Sequence, residues 1–165
     1  MKYIFQDFDG CLIPSLFKNY VSTQFKQSGG TLKSKDEFGF IFSPICASKL
    51  NYIIASTGAV VVIISDWKNR LSLEELQRLW KQRMMSGEVI GVVPEVDTNM
   101  RSDAVIKYIL EHDVRDYVII DDLVAQEYSD TLQDRLLLCD SRAGIDNDVM
   151  FKAIEILNGK KMAFY

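Results

Sequence analysis

At 165 residues, 48% apolar and 25% charged, the chain has the make-up of one soluble globular domain with a sizeable core. A net charge of −4 excludes a global basic field for nucleic acid or an anionic membrane, though not a local basic groove. Three separated cysteines (Cys11, Cys46, Cys139) and a single histidine (His112) form no Cys/His metal spacing, and no apolar run approaches the ~18 residues of a membrane span.

The first apolar run, Tyr3–Phe5, leads into Gln6-Asp7-Phe8-Asp9-Gly10. Asp-Gly is a common turn dipeptide, but two aspartates one residue apart at a strand end also suit a metal and a nucleophile. Residues 14–42 read as an irregular, cap-like insertion with one helix over Leu16–Lys26, a Ser28-Gly29-Gly30-Thr31 break and five phenylalanines: Phe17, Phe25, Phe38, Phe40 and Phe42. These rings either line an entrance or, the preferred reading, pack the insertion onto the body. Ser43-Pro44 opens a helix that Gly58 stops, with Leu50, Ile53, Ile54 and Thr57 on one face. A second apolar strand, Val60–Ile64, ends in Ser65 and Asp66.

Ser72-Leu73-Glu74-Glu75 is a capping box opening a helix whose core stripe is Leu73, Leu76, Trp80 and Met84. A short strand, Val89–Val93, follows. Ser102–Glu111 predicts a helix with Val105, Ile106, Ile109 and Leu110 apolar and His112 solvated at its end. Tyr117–Ile120 ends in Asp121 and Asp122, and Leu136–Cys139 ends in Asp140. Val149, Met150, Ala153, Ile154 and Leu157 form the last helical face. None of the main strands alternates with polar residues, so both faces are covered. Strands alternating with helices predict an α/β fold, a doubly wound Rossmann-like parallel sheet with helices on both faces. All 165 residues are expected in one domain.

Ligands bind beyond the carboxyl ends of the strands in such sheets. Asp66 and Asp140 read as loop caps. If the first strand neighbours the strand ending at Ile120, Asp7, Asp9, Asp121 and Asp122 converge, and a compensating cation is required. Oxygen ligands without nitrogen or sulfur select Mg²⁺-type ions over zinc. Ser65 can donate to a phosphoryl oxygen. Arg101, at the start of a helix, can meet phosphate oxygens or stand as a solvated surface arginine.

These motifs resemble the haloacid dehalogenase (HAD) superfamily of phosphohydrolases. An apolar strand meets Asp7-Phe8-Asp9-Gly10, a second ends in Ser65, Arg101 precedes a third, and that third ends in Asp121-Asp122. All four follow the family order over most of the chain. The stretches "TGAVVVIISDWK", "VPEVDTNMRSDAVIKYI" and "LLLCDSRAGID" are similar to the HAD domain of Swiss-Army-knife RNA repair proteins. Arg101 stands where lysine is commoner in the wider family.

The resemblance implies a Mg²⁺-dependent phosphatase working through an aspartyl-phosphate. Asp7 would attack phosphorus, and Asp9 would serve as general acid and base. Ser65 and Arg101 would hold phosphoryl oxygens. The metal would sit on Asp7, the main-chain carbonyl of Asp9, and Asp121 or Asp122. The partner is a phosphorylated substrate, with an RNA end, a nucleotide and a phosphoprotein side chain all open, as is the oligomeric state. Lys68 and Arg70 could add positive charge for a polyanion, or be solvated loop residues. Three other classes stand beside this one: a receiver-type signalling domain, a non-catalytic HAD-like binding module, and a metal-dependent nuclease of another α/β fold. The absence of a charged-then-apolar leader and the unpaired cysteines suggest a reducing, cytoplasmic compartment.

Overall fold

The computed structural model describes residues 1–159. In chain order the elements are β1 (Lys2–Gln6), α1 (Ser15–Gln27), β2 (Lys35–Asp36), β3 (Gly39–Phe40), α2 (Pro44–Thr57), β4 (Val60–Ile63), α3 (Leu73–Gln82), β5 (Val89–Val92), α4 (Arg101–Glu111), β6 (Asp116–Asp121), β7 (Leu136–Leu138) and α5 (Asn147–Leu157). Five strands form a parallel sheet in the order β5-β4-β1-β6-β7. The chain runs outward from β1 to β4 and β5, then returns past β1 to β6 and β7. This reversal puts a topological switch point beside the carboxyl end of β1, where ligands bind in open α/β sheets.

The sheet is buried on both faces, as its unbroken apolar strands require. On one face Ile4, Phe8, Val61, Ile63, Val118 and Ile120 join residues of α2, α3 and α5 in one core. On the other, Phe5, Val62, Ile64 and Ile119 pack with Ala104, Val105 and Tyr108 of α4. Helix starts are set locally. The Ser43 hydroxyl accepts from the Cys46 amide with Pro44 at the first turn, both halves of the Ser72–Glu75 capping box form, and the Asp146 carboxylate accepts from the Val149 amide.

Three expectations are corrected. The α3 stripe stops short, because the helix ends at Gln82 and Met84 turns out with positive φ and 85% exposure. The buried stripe is Leu76, Leu79 and Trp80 instead. On α4, Leu110 faces solvent, while Ala104, Val105 and Tyr108 carry the core contact. The insertion is not irregular beyond its helix: β2 and β3 pair as a small antiparallel hairpin. Phe38 and Phe42, flanking β3, are buried in the main core, where Phe42 meets Phe8 and Trp80 edge to face.

The loop after β7 closes over the loop after β1. Ile145 N–H donates to Cys11 O at 3.1 Å, and Gly144, at φ +77°, brings the two backbones together. A Cβ at Gly144 would lie 2.5 Å from Cys11 O and 2.7 Å from Cys46 Sγ. Overpacking against backbone plus a left-handed φ predicts that Gly144→Ala costs about 3 kcal/mol. That lowers Tm by roughly 6–12 °C for a domain of this size. Thermal unfolding followed by circular dichroism checks this, and an unchanged Tm would contradict the close approach.

Candidate active site

The site is assembled at the carboxyl ends of β1, β4 and β6. Asp7 directly follows β1, its amide donating to Ile120 O at 3.0 Å, so it is held against the end of β6. Its carboxylate is 3% exposed. Gln6, fully buried inside the sheet, donates from Nε2 to Asp7 O at 2.6 Å. The chain then turns sharply, with the amides of Cys11, Leu12 and Ile13 all directed at Phe8 O. Gly10 makes this turn at φ +78°, and a Cβ there would overlap the Asp122 carboxylate. Glycine therefore serves both the turn and the approach of the second acidic segment.

Asp121 ends β6 and Asp122 directly follows it. Asp7, Asp121 and Asp122 each offer a carboxylate oxygen, all within 4.8 Å of one another. Arg101, the first residue of α4, reaches into this group. Its Nη1 lies 2.9 and 3.0 Å from the two Asp121 oxygens and 3.4 Å from Asp7 Oδ2, and its Nη2 lies 3.5 Å from Asp66 Oδ1. Asp121 is the most heavily bonded of the three. It also accepts from Tyr128 O–H at 2.6 Å and from the amides of Asp122 and Leu123 at 2.7 and 3.2 Å.

The expected residues do not all meet. Asp9 stays outside the carboxylate group: it is exposed, and its Oδ2 accepts from Trp67 Nε1 at 3.0 Å. Only its main-chain carbonyl remains as a candidate metal ligand. Ser65 is buried just past β4, next to β1 in the sheet, where its hydroxyl accepts from the Trp67 amide at 3.4 Å and caps the 3-10 turn Asp66–Asn69. Among the described residues the hydroxyl donates to no acceptor. Asp66 does more than cap a loop, since it also pairs with Arg101. Asp140 accepts from the Arg142 amide, an ordinary loop contact. Tyr128 and the Trp67–Asp9 bond were not foreseen. Tyr128 stands seven residues beyond Asp121 in an irregular loop, and no spacing rule points to it. Trp67 carried a weaker signal, as the residue two beyond Ser65.

The electrostatics follow from burial. Desolvation, then the neighbouring Asp121 charge, push the Asp7 carboxyl up to about 8, with Arg101 opposing them. Burial also raises Asp122, although a hydrogen bond from Asp7 opposes it. Burial works against the Arg101 charge, but Asp7 and Asp121 hold its guanidinium protonated above the ordinary range. Burial, with Asp121 alongside, keeps the Tyr128 hydroxyl protonated and donating. One guanidinium thus faces three close carboxylates. The hard-oxygen donor set and the surplus negative charge fit a Mg²⁺-type ion.

Residues 3–149 match the family model described as the HAD domain in Swiss Army Knife RNA repair proteins. No curated protein and no solved structure matches the chain.

The pH dependence has a definite sign. Asp7 binds a proton more tightly when folded, so its contribution to stability is full below its unfolded value of 3.8 and is lost as pH rises through about 8. In EDTA, Tm should fall as the pH is raised from about 5 to about 8.5. Mg²⁺ should raise Tm most at the alkaline end, where the carboxylates are free to bind it. A Tm rise with Mg²⁺ that is equal at both ends would contradict this account.

Proposed function

The chain belongs to the HAD-domain family of Swiss Army Knife RNA repair proteins, a phosphohydrolase-type domain, and from that premise we propose that it is a Mg²⁺-dependent phosphatase working through an aspartyl-phosphate on Asp7. One observation carries the reading. Asp7 sits at the switch point, buried, with Arg101 beside it and a second carboxyl, Asp9, exposed two residues on. A buried nucleophile with a solvent-facing proton carrier is what two-step displacement at phosphorus needs.

Asp7, Asp122 and the Asp9 carbonyl would hold the ion, while Asp121, saturated by Arg101 and Tyr128, anchors the arginine. When bound, the ion would supply positive charge to offset that of the carboxylates and the phosphoryl group. In the first step the Asp7 carboxylate oxygen bonds to phosphorus, the bond from phosphorus to the leaving oxygen breaks, and protonated Asp9 gives that oxygen its proton. In the second, Asp9 takes a proton from water, the water oxygen bonds to phosphorus, and the Asp7–phosphorus bond breaks. Inorganic phosphate leaves and Asp9 is protonated again. Ser65 and Arg101 hold the equatorial oxygens in the loose transition state. The Trp67 N–H orients Asp9 towards the leaving group. The 14–42 insertion acts as a small cap that leaves the entrance open, which suits a macromolecular substrate. The family's description favours a phosphate at an RNA end. The compartment is cytoplasmic.

Purified protein should release phosphate from an aryl phosphate with Mg²⁺ and not after EDTA treatment. Asp7→Asn should lose about 10³-fold or more in kcat, and Asp9→Asn about 10²–10⁴-fold. Full activity in Asp7→Asn would overturn the nucleophile.

Trp67→Phe keeps the ring but removes the Asp9 bond. It should lower kcat about tenfold with KM little changed. An unchanged kcat would remove Trp67 from the mechanism.

A further inference from the structure

The two walls of the site carry opposite charge. On one side, a cavity of about 850 Å³ opens beyond the ends of β4 and β5, with Asp66, Glu95, Asp97 and Glu127 against Lys68 and Arg101. Arg101 is already engaged by Asp7, Asp66 and Asp121. This wall repels a polyanion.

The insertion side is different. From Asp9 a continuous line of contacts runs outward. Trp67 bonds Asp9, and the Arg70 guanidinium lies 4.2 Å over the Trp67 ring while Nη1 donates to Phe38 O at 2.7 Å. The hairpin then presents Phe40, with Lys18 Nζ at 4.7 Å and Lys35 Nζ at 4.6 Å from its ring centre. The acids of the hairpin are already neutralised. Asp36 takes Nε and Nη2 of Arg83 at 2.9 and 2.8 Å, and Glu37 pairs with Arg78 at 3.5 Å. Among the described residues, Lys18, Lys35 and Arg70 form no ion pair. All three are exposed. Two ammonium groups share one phenyl ring, and among the described residues neither forms an ion pair with a carboxylate. A ring face holds each more weakly than a phosphate would.

We propose that this band, Arg70–Lys35–Lys18, is the track of a single-stranded polynucleotide whose terminal phosphate lies at Asp7. The inference rests on the phosphatase reading for the position of that end. A row of unpaired cations leading away from a phosphate site matches a polymer with one charge per residue. It matches a phosphopeptide, with a single phosphate, less well. The acidic cavity opposite fixes the direction: the strand leaves over the hairpin and α1, not over the loop between β5 and α4. The protein's net negative charge is compatible with this, because the field that matters is local.

The test is fluorescence anisotropy with dye-labelled single-stranded RNA of about ten nucleotides carrying a terminal phosphate. Wild type is compared with Lys18→Ala/Lys35→Ala and Lys18→Arg/Lys35→Arg. The alanine pair should bind roughly tenfold more weakly at low salt, and its log–log salt slope should be shallower by about 1.4, or 0.7 per lost phosphate contact. The arginine pair should bind like wild type. Equal affinity in the alanine pair overturns the track, as does equal weakening in both pairs, which would mark a structural role. Tighter wild-type binding to a phosphopeptide than to the RNA overturns the choice of polymer. Anisotropy reads binding whether or not phosphate is released. Lysine-dependent binding without turnover would therefore count against the phosphatase reading alone, and turnover with lysine-independent binding against the track alone.

Discussion

The site depends on three carboxylates crowded at the end of a buried strand with one guanidinium among them. In a low-dielectric setting Asp7, Asp121 and Asp122 cannot all stay ionised around Arg101 alone. The three resolve the conflict differently. Asp121 is satisfied by Arg101, Tyr128 and two main-chain amides, five contacts for one carboxylate. Asp7 has the arginine only at 3.4 Å and holds its proton up to about 8. A cation bound here would compete with that proton for the Asp7 oxygens.

The fold exists to bring these groups together from segments more than a hundred residues apart. The strand order sets β1 beside β6, the register carries Asp7 level with the end of β6, and Gly10 clears the space that Asp122 fills. Asp9 is kept out of the crowd by the same turn and tethered to Trp67. In the proposed mechanism that separation divides attack, at the buried carboxyl, from proton transfer, at the exposed one. Trp67 also links the centre to the insertion, since Arg70 stacks on it and grips the hairpin. Asp9 and the hairpin thus belong to one packed unit.

Much of this was legible in the sequence. Unbroken apolar runs marked four of the sheet strands to within a residue or two, because parallel strands covered on both faces leave no polar alternation; the fifth, Val89–Val92, contains Gly91 and was read as a further short strand. The Ser43-Pro44 start and the Ser72–Glu75 box are local signals and appeared where expected. The hairpin was not legible. Two-residue strands carry no periodicity, and theirs are held by Arg70 and Arg83 from beyond the insertion. Met84 read as core because the helical pattern continues on paper past the point where the backbone turns left-handed. Asp7, Arg101, Asp121 and Asp122, which the structure brings together, could be singled out because each stands at an element boundary. Tyr128 was missed because its place depends on the path of a loop, and the Asp9–Trp67 bond because it joins residues from two different strands' ends.

The central claim is that Asp7 itself carries the phosphoryl group in the course of turnover. It is tested most directly by acid-quenching a single turnover on ³²P-labelled aryl phosphate and mapping the label to peptides. The account predicts a hydroxylamine-labile label on the peptide containing Asp7, formed only with Mg²⁺ and absent from Asp7→Asn. Phosphate release by the wild type with no label on any aspartate, or with the label on a different residue, would contradict it.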